Sequence, residues 1–449
     1  MEREEEDLLG TVKFNDACLY GIATERALRC SSVGAPKVPK IFIQHVGLVK
    51  YACALSNKRL GLLTADKGEA IAEAALEIYR DEIDGDAFPL EIFQTGGCTP
   101  TNMNVNEVIK NLVFKRSGIK INANDDCNRC QSTNDVIPTA LNITVREICK
   151  HQLIPSLQGC CQRLQEKEKE WAEITILGRT HTMDAVLMTL GQVFSGYRRQ
   201  IEKDIENILN NLPRFLELPI GGTAVGNGIN GHPRFAENVI RILNERLNES
   251  YVASVNRYEQ QSSRDDYVLF AGLLDTVTTS LIKIANDIRW YGSGPTGGIN
   301  ELVLPATQAG SSCMPGKVNP VVCETLLQAC IYVQGNCNMI RQCAIIGGQF
   351  QLNTTSMLLI YSLVKSLQTL SDALDLFSEK LLQDLQANEK VIASHVGSSY
   401  ALLNKLVPHI GYDEAARVVQ EAKSSQISVV DILKKRYPQF QREILNDDI

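Results

Sequence analysis

The chain has 449 residues, of which 44% are hydrophobic and 22% charged, enough to bury a large core. Its 45 basic and 52 acidic residues leave a net charge of −7. That balance excludes a general nucleic-acid binder, which needs a basic surplus to neutralise phosphates, and leaves room for a small anionic substrate held by a few local cations.

The start, Met1-Glu-Arg-Glu-Glu-Glu-Asp7, is acidic and lacks the apolar or Arg-rich pattern of a targeting segment. No run of 18 apolar residues predicts a membrane span. Helical periodicity then dominates over 142–172, 190–216, 264–291, 318–345 and 353–388, each well beyond the mean globular helix. At a rise of about 1.5 Å per residue these helices reach roughly 40–50 Å, which predicts a long bundle. Shorter helices are expected at 412–423 and 427–436, and strand-like alternation is scarce. The fold class read from these patterns is mainly α. Length predicts about two to four domains, and the pattern suggests an N-terminal domain over 1–133, a central helical bundle over 134–390 and a small C-terminal helical domain over 391–449.

The 14 cysteines are scattered, mostly in apolar helical patterns, and are read as free thiols of a reducing, cytoplasmic setting. Cys127 and Cys130 form a C-x-x-C, but without a second pair or neighbouring histidines no metal is expected. Two G-x-G-x-x-G matches, at 226–231 and 292–297, lack the strand–turn–helix context of a dinucleotide site. Residues 310–318 resemble a phosphate loop but have five residues between the glycines and Val318 after Lys317, where a Ser or Thr would hold magnesium.

Polar, Gly-rich segments separate the helices, and chemistry usually sits on such loops. The stretch 310–319 offers Ser311 and Ser312, free backbone donors, the point charge of Lys317 and the amide of Asn319. Ser132, Thr133 and Asn134 precede a helix, where an N-terminus suits an anion; the plainer reading, an N-cap cluster, holds equally well. Thr99 belongs to a third donor cluster, and Thr180 and His181 to a fourth. Neutral donors with one Lys and one His point to a small substrate carrying more than one carboxylate, with no cofactor.

These residues carry a resemblance to the fumarase/aspartase superfamily. The loop Gly310-Ser-Ser-Cys-Met-Pro-Gly-Lys-Val-Asn319, running on to Glu324, is similar to that superfamily's signature at nearly every position. Further similarity runs along almost the whole chain, through Glu6–Gly10, Tyr20-Gly21 with Thr24 and Arg26, Thr101–Glu107, Gln131–Asp135, Gly178–His181, Gly222–Gly226 and His409–Tyr412. The resemblance implies a homotetramer with a large helical core, each active site completed by loops of three subunits. It implies reversible anti elimination from a succinate-type dicarboxylate to give fumarate. By the same match Ser311 is the general base, His181 pairs with Glu324, and Lys317 assists. Thr99, Ser132, Thr133, Asn134, Thr180, Ser312, Asn319 and Arg26 bind substrate.

The leaving group is read as ammonia, which makes the main expectation an aspartate ammonia-lyase. Glu6–Gly10, Ser132-Thr133, Asn300-Glu301-Leu302, 304–310 and 318–322 lean that way. Class II fumarate hydratase is the alternative, favoured by Arg179–Thr182, Met314–Lys317 and His409–Tyr412; a related lyase with another leaving group and a non-catalytic structural homologue are further readings. Cys98, Pro100, Met183, Leu187 and Thr296 depart from the family pattern. Cys98, Cys127, Cys130, Cys313 and Cys323 all lie in or beside the motifs, so thiol reagents are expected to inactivate, with substrate protecting.

Overall fold

The structure is a computed structural model that describes residues 2–440; the end of the expected C-terminal domain, 441–449, lies outside the described residues. It is mainly helical, as the periodicity predicts. The long helices are Asp265–Tyr291, Val321–Gly347 and Ser356–Phe377, together with Leu190–Asn211 and a run from Thr133 that passes through a π-helical turn at Cys149–Leu153 to end at Glu170. The tail helices are Tyr412–Ser425 and Val429–Arg436.

Contacts group the chain into two compact units. The first comprises Met1–Ile154, Glu206–Thr276 and Ile331–Leu370; the second comprises Pro155–Ile205, Val277–Cys330 and Ser371–Ile449. Every boundary between them falls inside a long helix, so along the chain the two units share helices rather than linkers.

The first unit is built around the helix Lys40–Arg59, most of whose residues are buried. It packs on Ala65–Tyr79, Thr133–Ile148 and Phe235–Leu247. Gly47 allows a close approach to Ala65–Tyr79, since a Cβ there would stand 2.9 Å from Ile78 Cγ2. Asp265–Tyr291 is long and apolar enough to cross a membrane by composition alone, but half of its most apolar window is buried inside the protein, as in a core helix. In the second unit, Leu406, Val418 and Leu433 centre a small core under the tail helices.

The sequence pattern missed the β-hairpins. The acidic start is a strand, Glu2–Asp7, paired antiparallel with Gly10–Asn15. Lys13 pairs with its cross-strand partner Glu4 at 2.5 Å, and the Arg3 guanidinium lies 4.6 Å over the Phe14 ring. Opposite charge and cation–π contact thus stabilise a run of like charges that composition alone reads as unstructured. A second hairpin, Thr175–Thr180 with Met183–Thr189, occupies the segment expected to be a polar loop.

The start of the chain is held by one buried carboxylate. Glu107, 5% exposed, accepts from the amides of Gly21 at 3.0 Å, Ala23 at 2.8 Å and Thr24 at 3.1 Å, and from Thr24 Oγ1 at 2.6 Å. The amides of Ala23 and Thr24 belong to the first turn of the helix Ile22–Ser31 and have no partner within that helix. Orphaning a buried donor costs about 1–3 kcal/mol. Glu107→Ala is therefore expected to lower stability by roughly 3 kcal/mol or more, with Glu107→Gln intermediate, read from urea unfolding. Equal midpoints for all three proteins would contradict this.

Candidate active site

In the first unit, donors converge on a cavity of about 450 Å³ lined by Thr99, Asn102, Ser132, Thr133, Asn134 and Thr223 among others. Thr99 is exposed at the start of the helix Thr99–Ser117, and Pro100 sits in its first turn, where a missing N–H costs nothing. Cys98, one of the departures from the family pattern, caps that helix with φ +67°. Glycine adopts this left-handed conformation freely, and a side chain there costs about 1 kcal/mol or more. Two residues earlier, Gly96 has no alternative: a Cβ would lie 1.3 Å from the Thr354 carbonyl oxygen.

Ser132 is the N-cap of the helix Thr133–Ile148 in a full capping box: its hydroxyl accepts from the Asn134 amide at 3.2 Å, and its own amide donates to Asp135 at 2.9 Å. The N-cap reading of this cluster therefore holds, and Ser132, Thr133 and Asn134 also line the cavity. Asp135 is fully buried and also accepts from the amides of Gly221 at 3.0 Å and Thr223 at 2.8 Å. Burial pushes its carboxyl up to about 6, although the backbone donors and Lys50 pull the other way. Asn134 adds a second tie, donating from Nδ2 to the Ala224 carbonyl at 2.8 Å.

Arg26 sits elsewhere in this unit. Its guanidinium is committed to Asp7, through Nε and Nη2 at 2.8 Å each, and to the Gly10 carbonyl. That holds the N-terminal hairpin to the helix Ile22–Ser31 and differs from the substrate-binding role expected of it.

The second unit carries the remaining candidates. Ser311 Oγ accepts from two backbone amides, Cys313 at 3.1 Å and Met314 at 3.0 Å. Asn319 Nδ2 donates to the Gly310 carbonyl at 2.7 Å and closes the loop. Gly310 is needed for that closure, because a Cβ there would meet the Lys317 carbonyl oxygen at 2.1 Å. Ser312 and Lys317 are exposed, and Glu324 lies exposed in the first turn of Val321–Gly347.

His181 and Thr182 form the two-residue tip of the second hairpin, with φ of +54° and +62°. Left-handed values at both positions match the twist of a two-residue hairpin but normally require Gly or Asn. A His followed by a β-branched Thr is strained there, as functional residues often are. Thr180 is the last residue before the turn and is exposed. The hairpin is anchored by Arg179, which makes a bidentate pair with fully buried Glu301 at 2.8 and 2.6 Å; His395 Nδ1 reaches the same carboxylate at 2.9 Å. Within one chain, among the described residues, no hydrogen bond or ion pair joins His181 to Glu324.

Sequence reasoning missed Asp135 and Glu301 as organisers. For Asp135 the signal was present, since S-x-x-D before an apolar run is a capping-box pattern. Glu301 had none, because its partners lie more than ninety residues away on either side.

With this geometry in hand, the relatives can be compared. The family model described as Lyase matches residues 10–335. The class II fumarate hydratase of Halalkalibacterium halodurans is 40% identical over 432 residues, covering 95% of this chain and 93% of that protein. That of Thermosynechococcus vestitus is 41% identical over 430 residues, covering 94% and 91%. The crystal structure of class II fumarase from Schistosoma mansoni superposes with a TM-score of 0.94 at 32% identity, covering 100% of this chain and 99% of that one. The chain belongs to the fumarase/aspartase superfamily of lyases. The relatives' names favour the fumarate hydratase alternative over the ammonia-lyase expectation. Of the ammonia-leaning segments, Glu6–Gly10 is a hairpin turn tied to Arg26 and Glu301 is buried under Arg179, whereas Ser132 and Thr133 line the cavity.

The thiols near these motifs differ in exposure. Cys98, Cys127 and Cys323 are buried, and burial pushes each up to about 12, whereas Cys313 is exposed in the Ser311 loop. A neutral buried thiol is inert. Alkylation of the native protein is therefore expected to reach Cys30 and Cys313 first, with loss of activity tracking Cys313 and prevented in Cys313→Ser. Peptide mapping that finds Cys98 or Cys127 labelled as fast as Cys313 would contradict this.

Proposed function

We propose that the chain catalyses the reversible anti addition of water to fumarate, giving malate, as a class II fumarate hydratase. It works as a homotetramer in which loops of three copies complete each site. One observation carries the chemistry: Ser311 Oγ is held by two backbone N–H donors. Removing a proton from carbon beside a carboxylate needs a base, and a serine alkoxide is ordinarily inaccessible near neutral pH. Hydrogen bonds that strengthen as charge develops on Oγ lower that barrier, each worth roughly 3–4 kcal/mol in comparable oxyanion sites. Loss of the proton turns the adjacent carboxylate into a doubly charged aci-carboxylate. Thr99, Ser132, Thr133 and Asn134, with Lys317 and Asn319, are the donors proposed to receive that charge. His181, raised on its strained turn, acts on the water side with Thr180 and with Glu324 of another copy. All 14 cysteines are free thiols, which supports a reducing, cytoplasmic setting.

The ultraviolet absorbance of fumarate gives the test. It is expected to fall without added ammonium and no faster with it, and Ser311→Ala is expected to slow the fall about a thousandfold without changing the melting curve. Loss of absorbance only with ammonium would favour the ammonia-lyase reading, and near-wild-type turnover in Ser311→Ala would remove the base.

A further inference from the structure

Lys50 lies in the middle of the helix Lys40–Arg59 and is 1% exposed. No carboxylate pairs with it among the described residues; its ammonium donates to two neutral acceptors, Asn128 Oδ1 and Gln131 Oε1, each at 2.9 Å. Asn128 Oδ1 also accepts from Asn102 Nδ2 at 3.1 Å, and Asn128 Nδ2 donates to the Gln131 carbonyl at 3.3 Å. The ammonium thus sits directly behind Asn102, Asn128 and Gln131, three residues that line the same 450 Å³ cavity as Thr99 and Ser132–Asn134. The side-chain oxygens Asn102 Oδ1 and Asn106 Oδ1 are buried and have no hydrogen-bond partner among the described residues.

A buried cation without a counter-ion is costly, and a protein keeps one where something compensates it. The titratable groups facing Lys50 are Cys53 on its own helix, Cys127 on the neighbouring loop and Asp135 on the helix Thr133–Ile148. Burial holds both thiols neutral, and the Asp135 carboxylate is already engaged by three amides. The other donors of this half of the site are uncharged, whereas a dicarboxylate brings two negative charges.

We propose that Lys50 is a positioning residue for the dicarboxylate, fixing Asn128 and Gln131 beneath the Ser132–Asn134 donors and supplying the buried positive charge that draws a carboxylate into the cavity. This rests on the dicarboxylate reading above. Burial pushes the Lys50 amine down to about 8. Its charge is therefore complete below that pH and lost above it, and affinity for the dianion falls in the same direction.

Succinate, which has no double bond to hydrate, is the probe, and calorimetry on the full-length protein gives its Kd. Wild type is expected to bind about tenfold more weakly at about pH 9.5 than at about pH 7. Lys50→Arg, whose charge does not titrate in this range, is expected to lose that dependence while keeping its neutral-pH affinity within about threefold. Lys50→Met is expected to bind about tenfold more weakly throughout, with no step near pH 8. A step that survives unchanged in Lys50→Arg overturns the proposal even if Lys50→Met fails to fold. Absence of succinate binding by wild type overturns both this and the assigned reaction. Succinate binding without fumarate turnover removes only the assigned reaction.

Discussion

The donor-lined cavity of the first unit depends on the Asp135 carboxylate. One oxygen accepts from the Ser132 amide and starts the helix Thr133–Ile148; the other accepts from Gly221 and Thr223, 86 and 88 residues along the chain from Asp135. Two loops that would otherwise satisfy their amides with water are thereby fixed facing one cavity. A neutral side chain of this size could not accept from three amides at once. The cost is burial of a charge, visible in a carboxyl pushed up to about 6. Lys50, buried nearby, pulls that carboxyl back down in part but makes no direct pair with it, its ammonium donating to Asn128 and Gln131 instead.

The second unit presents its reactive groups differently. Ser311 is held by backbone amides in a loop that can close only because Gly310 lacks a Cβ. His181 is lifted on a two-residue turn whose backbone suits neither His nor Thr, and the Arg179–Glu301–His395 cluster anchors the strand behind it. Strain of this kind persists only where the surroundings over-determine it. A buried bidentate pair at the base of a hairpin does so.

Legibility in the sequence followed the range of the interactions. The long helices were readable because a 3.6-residue period is local, and the observed runs from Thr133, Leu190, Asp265, Val321 and Ser356 lie close to the expected ranges. Ser132 as an N-cap was readable for the same reason. The hairpin at 175–189 was not, since its tip carries no Gly or Asn to announce a turn. The resemblance assigns Arg26 to substrate, and its partner Asp7, 19 residues away on another element, could not be read from the sequence. The cysteines looked reactive because proximity in sequence to a motif says nothing about burial. Of the ammonia-leaning segments, Glu6–Gly10 and Glu301 are engaged in the scaffold, a commitment that sequence proximity to a motif does not reveal.

Amide hydrogen exchange at Ser132, Gly221 and Thr223 tests the organising role of Asp135 most directly. In the wild type these three amides should exchange slowly and together, because one carboxylate holds them all. In Asp135→Ala all three should become fast while amides of the helix Lys40–Arg59 stay protected. Three amides that keep their protection in the variant, or that lose it only when the whole first unit does, would contradict the role given to that carboxylate.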